Sequence, residues 1–167
     1  MNSNLGNIFR FIILLAVQVL IFNNINLFGY INPYPYILFI FLFPVNGNKF
    51  TLLFTSFLLG LILDMFSNSG GIHTASSIIL AFIRPNLFRF SFGVSYEYQT
   101  IKIADKLTSE RFTFLLIGIL VHHFVLFFLE AFRLSLFFNV LFKSISTTLF
   151  TLLFCILIIY LIKPNKR

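Results

Sequence analysis

The chain has no tryptophan, one cysteine and only five acidic residues in 167, and each shortage excludes something. Cys155 alone permits no internal disulfide. Five carboxylates against 12 lysines and arginines leave a formal net charge of +7, and charged residues make up 10% of the chain; a soluble domain carries about a quarter. Neither G-x-S-x-G nor H-E-x-x-H occurs, and the aspartates do not cluster as a metal-holding phosphotransferase requires. Catalysis therefore has no visible apparatus, and neither a cofactor nor a metal is expected. Without tryptophan, interfacial anchoring falls to Tyr30, Tyr34, Tyr96, Tyr98, Tyr160 and the basic side chains. There is no internal repeat.

What remains is apolar. Hydrophobic residues are 59% of the chain, 26 of them Phe, and the mean hydropathy is +0.97. These values predict an all-α polytopic integral membrane protein, a single transmembrane domain over 1–167. Its spans are expected at about 8–28, 33–45, 50–66, 72–92, 112–132 and 138–162, with a polar loop at 93–111 that holds an interfacial turn near 101–107. The first run, after Arg10, ends at Asn23, Asn24 and Asn26 without an A-x-A cleavage pattern, so it reads as a retained anchor. The second, Tyr34 to Val45, follows Pro33 and Pro35 and meets Pro44. At roughly 12–15 residues it covers only about 20 Å of a core near 30 Å, so five crossings plus a re-entrant segment is the alternative. Pro85 predicts a kink or stop in the fourth helix.

Lysine and arginine favour the cytoplasmic side of short loops. Six spans with the N-terminus inside leave only Arg133 and Lys143 outside, a ten-to-two division of the 12 basic residues. The five-span alternative moves Arg10 and gives nine to three. Both put the long loop and the basic tail, Lys163 to Arg167, in the cytoplasm.

The stretch from Thr55 to Pro85 carries the costliest side chains, since an ionisable group in a membrane span is usually kept for a reason. Asp64 and His73 flank the Asn68 to Gly71 turn at the outer end of the third and fourth helices. Arg84 lies eleven residues beyond His73, roughly 16 Å deeper on nearly the same face as Ser77 and Ala81. Ser56, Gly60 and Asp64 make a stripe of small residues on the third helix, a pattern that lets helix backbones approach closely in lipid. For Asp64 two readings stand: a proton, ligand or partner-helix site, or a carboxylate paired with His73, or with Arg84 through water, that holds the hairpin. His122 and His123 read as packed, hydrogen-bonded histidines, because adjacent helical residues point about 100° apart. Glu130 is expected to pair with Arg133 or Lys143.

In this order, Gly29-Tyr30-Ile31-Asn32-Pro33, a run closed by Pro44, Gly60-Leu61-Ile62-Leu63-Asp64, Gly71-Ile72-His73 and Arg84-Pro85 resemble the rod shape-determining MreD family. The resemblance covers Phe28 to Pro85, about a third of the chain. It implies a non-enzymatic, multi-pass subunit of the bacterial elongation complex in the plasma membrane, required for cell shape and lateral peptidoglycan synthesis. Its implied partners are an MreC-like bitopic protein, a RodA-like glycosyltransferase, a class B penicillin-binding protein, MreB indirectly, and membrane lipid, with no nucleic acid. Gly60, Asp64, Gly71, His73, Arg84 and Pro85 would form its partner-binding or structural polar motif. The family is similar in fold to the S components of energy-coupling factor transporters, so the alternative is a substrate-binding subunit of a vitamin transporter. Asn32, Tyr36, Asp64, His73 and Arg84 would then line a pocket. Against that alternative, Ala16 is followed four residues later by Leu20, not by the second alanine of a docking stripe.

Overall fold

The computed structural model describes residues 3–27, 29, 31–93, 103 and 107–162. Six α-helices appear in it: α1 (Ser3–Leu20), α2 (Leu38–Leu42), α3 (Lys49–Ser67), α4 (Ile72–Phe92), α5 (Ser109–Ala131) and α6 (Phe137–Ile162). Among the described residues there is no strand, only one antiparallel bridge between Leu27 and Ile31. Four stretches, Leu5–Asn24, Lys49–Ser67, Ser109–Ala131 and Leu134–Ile162, are long and apolar enough to cross a membrane. Helix α4 is of similar length, but its serines, Arg84 and Arg89 make it less apolar.

Local chemistry sets most boundaries. The side chain of Asn48 caps α3 by accepting from Phe50 N at 2.8 Å. The helix closes through Asn68, whose left-handed backbone (φ 50°) returns its N–H to Asp64 O. Gly70 and Gly71 follow at φ 66° and 99°, a conformation that glycine adopts without steric cost, and α4 starts at once. The sequence reading carries the first helix to residue 28. Instead α1 gives way after Leu20 to a 3-10 turn at Phe22–Asn24 and a left-handed Asn26, because asparagine side chains compete for backbone partners: Asn24 Nδ2 donates to Leu20 O and Asn26 N to Asn32 Oδ1. Pro85, in contrast, does not end α4, which runs on to Phe92.

The second run departs furthest from expectation. A 3-10 turn at Pro35–Ile37 leads into α2, only five residues long. The whole is roughly 12–15 Å in length, under half of a membrane core. Proline confines it at both ends: Pro35 opens the turn, and Phe43, held extended at ψ 141° ahead of Pro44, leaves the helix. Tyr36, Ile37, Leu38, Ile40 and Phe41 are all wholly buried, as befits a helix that is apolar all round. Helices α3, α4, α5 and α6 pack in chain order, α3 on α4, α4 on α5 and α5 on α6, while α1 leans on α2 and α3. Gly118 makes room in α5 for the Phe41 ring, since a Cβ there would lie 2.6 Å from it. Of the expected loop at 93–111 and its turn at 101–107, most lies outside the described residues; Ile103 is buried.

Candidate functional site

The α3–α4 hairpin is built on Asp64. Its Oδ1 accepts from Ser69 Oγ at 2.6 Å and His73 N at 3.0 Å, and its Oδ2 from Thr74 N at 2.9 Å and Thr74 Oγ1 at 2.5 Å. The carboxylate thus caps the first turn of α4 from the neighbouring helix. It meets two of the N–H groups that a helix start leaves without partners, and the negative charge faces the positive end of the helix dipole. One turn earlier on α3, Gly60 lies against α4: a Cβ there would sit 2.6 Å from Thr74 N and 2.7 Å from His73 O. The small-residue stripe of α3 is therefore the contact face, as its spacing suggests.

Matching small-residue stripes would set the α4 face of His73, Ser77, Ala81 and Arg84 against α3. Instead His73 and Arg84 turn to the central segment, that is, the 3-10 turn at Pro35–Ile37 and α2. At one end, His73 Nδ1 lies 3.2 Å from the Tyr36 hydroxyl. At the other, the Arg84 guanidinium donates to Phe41 O at 3.4 Å and to Phe43 O, and lies 4.8 Å over the Phe88 ring. Asp64 is thus bonded to the backbone of His73 and not to its ring, and Arg84 serves the far end of the fold. Pro85 follows Arg84 within α4, and Gly71 supplies the left-handed residue ahead of it.

Arg84 also settles a local shortage. The last carbonyls of α2 have no continuing helix to bond them, and buried carbonyls need donors. We expect Arg84→Met, which keeps the buried stem and removes the donors, to lower stability by about 3 kcal/mol. Arg84→Lys should recover only part of this, since an ammonium lacks the planar fork. Thermal unfolding of the purified protein in one detergent measures both.

The approach to the central segment is satisfied in the same way from other helices. Gln18 of α1, wholly buried, donates to Pro33 O at 3.2 Å and accepts from Tyr36 N at 3.4 Å. Thr151 of α6 accepts from Tyr34 N at 3.0 Å. Its hydroxyl lies 3.2 Å from His123 Nε2, and His123 Nδ1 lies 2.7 Å from Ile119 O. A carbonyl can only accept, so Nδ1 carries the proton and Nε2 takes the Thr151 hydroxyl. The Tyr36 hydroxyl bridges His73 and His122, 2.9 Å from the latter's Nε2; donating to one ring, it accepts from the other. His122 and His123 are accordingly packed and hydrogen-bonded, as expected of them. Glu130 pairs with Lys143 at 2.8 Å rather than with Arg133.

Beside this network lies a cavity of about 350 Å³, lined by Asn23, Asn32, Tyr34, Ser69, His73 and Glu130 among others. Asn32 and His73 thus line one cavity, whereas Tyr36, Asp64 and Arg84 are not part of its wall. Among the described residues no group of three or more His, Cys, Asp and Glu is placed to hold a metal ion. Gln18, Thr74 and Thr151 escape sequence reasoning. Only Gln18 leaves a trace there, as an amide inside an apolar run. Comparison with protein-family models, curated proteins and solved structures finds no match to this chain.

Proposed function

We propose that this protein is a non-enzymatic scaffold subunit of the bacterial elongation complex, of the MreD kind, which organises lateral peptidoglycan synthesis through helix contacts in the plasma membrane. The observation that supports this most is how its motif residues are used. Asp64 bonds the start of α4, Gly60 admits the α4 backbone and Arg84 bonds the end of α2. Groups so engaged hold helices in place, as a docking scaffold requires, and are poorly placed to act on a substrate.

In this reading the chain is multi-pass, with the basic tail in the cytoplasm and the hairpin turn at the opposite face. Because α1 and α3 run in the same direction, the chain between them must return across the layer, which favours six traverses with the second made by a short segment enclosed by protein; non-helical backbone at membrane depth is tolerated where protein buries it. The hairpin would receive the transmembrane segment of an MreC-like bitopic protein, with a RodA-like glycosyltransferase and a class B penicillin-binding protein joining the assembly and MreB linked indirectly.

One observation favours a second reading. The polar cavity beside His73 suits a small solute, as the substrate-binding subunit of a vitamin transporter of S-component fold would need. Gentle detergent extraction from native membranes, with mass spectrometry of what co-purifies, separates the two. A bitopic coiled-coil protein and cell-wall synthases are expected; recovery of ATPases with a second membrane subunit would replace the scaffold reading by the transporter one.

A further inference from the structure

A groove of about 560 Å³ opens between α1, the end of α2 and the start of α3, at the opposite end of the fold from the hairpin turn. Asn23 Nδ2 donates to Ser67 Oγ where α1 and α3 end, so the two helices run side by side in the same direction. That fixes the order of the lining. Asn7, Asn46 and Asn48 stand at one level, and Phe11, Phe39 and Leu58 lie deeper. The ten residues from Asn48 to Leu58 span about 15 Å at helical rise, the depth of one leaflet of a hydrocarbon core near 30 Å. Thr55, midway, turns its hydroxyl to the carbonyls of Thr51 and Leu52 at 2.7 and 3.1 Å, so it offers the groove no free donor.

The polar end is also cationic. The Arg10 guanidinium donates to Asn7 Oδ1 at 3.3 Å, Lys49 adjoins Asn48, and no lining residue is acidic. Ile8 on the groove wall is 56% exposed, so the cleft communicates with whatever surrounds the helices. Two of the walls belong to stretches long and apolar enough to cross a membrane.

From this charge complementarity and the matching depth, we infer that the groove is a binding site for one anionic glycerophospholipid. An acyl chain lies between Phe11, Phe39 and Leu58, and the phosphate meets Arg10, Lys49 and the asparagine amides. The site is independent of the proposed function, since none of Gly60, Asp64, Gly71, His73, Arg84 and Pro85 lines it.

The test is native mass spectrometry of the full chain, released from phosphatidylcholine vesicles that contain a minor fraction of phosphatidylglycerol. The wild-type protein should retain one phosphatidylglycerol in preference to phosphatidylcholine. The Arg10→Gln/Lys49→Gln variant, altered only at the groove's rim, should lose that preference by about tenfold or more. Thr55→Trp, which obstructs the acyl channel, should lose both lipids. No preference in the wild type, or equal retention by the rim variant, overturns the inference. So does a photo-crosslinker at Thr55 that captures a polypeptide instead of lipid, because the groove would then belong to a partner helix.

Discussion

Asp64→Ala is expected to lower the stability of the purified protein by about 3 kcal/mol and to loosen the start of α4. The carboxylate accepts four hydrogen bonds, two of them from the backbone N–H groups of His73 and Thr74. Alanine leaves those donors without a partner where water has little access, since Asp64 and His73 are about 6% and 5% exposed. Asp64→Asn should cost about half as much. Its oxygen can still accept from Ser69 and His73, but its NH2 would face the Thr74 N–H, donor against donor. Thermal unfolding and hydrogen exchange at the first turn of α4 give the readout; equal losses for alanine and asparagine would show that the charge and the second acceptor oxygen, not shape or a single retained acceptor, carry the whole effect. The same variant probes function. If the hairpin receives a partner helix, Asp64→Ala should reduce co-purification of that partner more than Arg84→Met does, although Arg84→Met costs similar stability about three turns further along α4.

Gly60→Leu should prevent α3 and α4 from closing, so that little folded protein survives extraction, and even Gly60→Ala should cost about 3 kcal/mol. The reason is what a new Cβ would meet: Thr74 N at 2.6 Å and His73 O at 2.7 Å, backbone atoms in the first turn of α4. They cannot yield unless the helix moves, and moving it also breaks the bonds that Asp64 makes. Gly118 is the internal comparison, because its Cβ would meet the tip of the Phe41 ring, a side chain that can shift. Gly118→Ala is therefore expected to cost about half as much as Gly60→Ala. Fluorescence-detected size-exclusion of both variants, heated in the same detergent, orders them; if Gly118→Ala is the more damaging, the α3–α4 contact is not the tight point of the fold.

Much of this architecture is legible in the chain because one-dimensional chemistry fixes it. Length and hydropathy give α3, α4, α5 and α6 to within about three residues at each end, and Asn68-Ser69-Gly70-Gly71 announces the hairpin turn. The stripe Ser56-Gly60-Asp64 identifies the α3 face of the contact, because side chains four apart on a helix share a face. What the chain conceals is which partner a face meets. The corresponding stripe on α4 is real but faces α2, and the α3 contact falls at Thr74.

Composition and periodicity by themselves therefore determined the class of this protein, its long apolar helices and the hairpin with a carboxylate at its end. The tertiary structure decided the rest: that Asp64 bonds a neighbouring helix start rather than an imidazole ring, that Arg84 closes α2, and that Tyr36 bridges two histidines. It also decided that the second apolar run is a short enclosed segment. Its prolines limit the helix locally, but only enclosure by other helices supplies the donors and acceptors that its loose ends need: Gln18 from α1, Thr151 from α6 and Arg84 from α4, all far away in sequence. Buried backbone must be hydrogen-bonded wherever it lies, and a linear pattern does not say which distant side chain will do it.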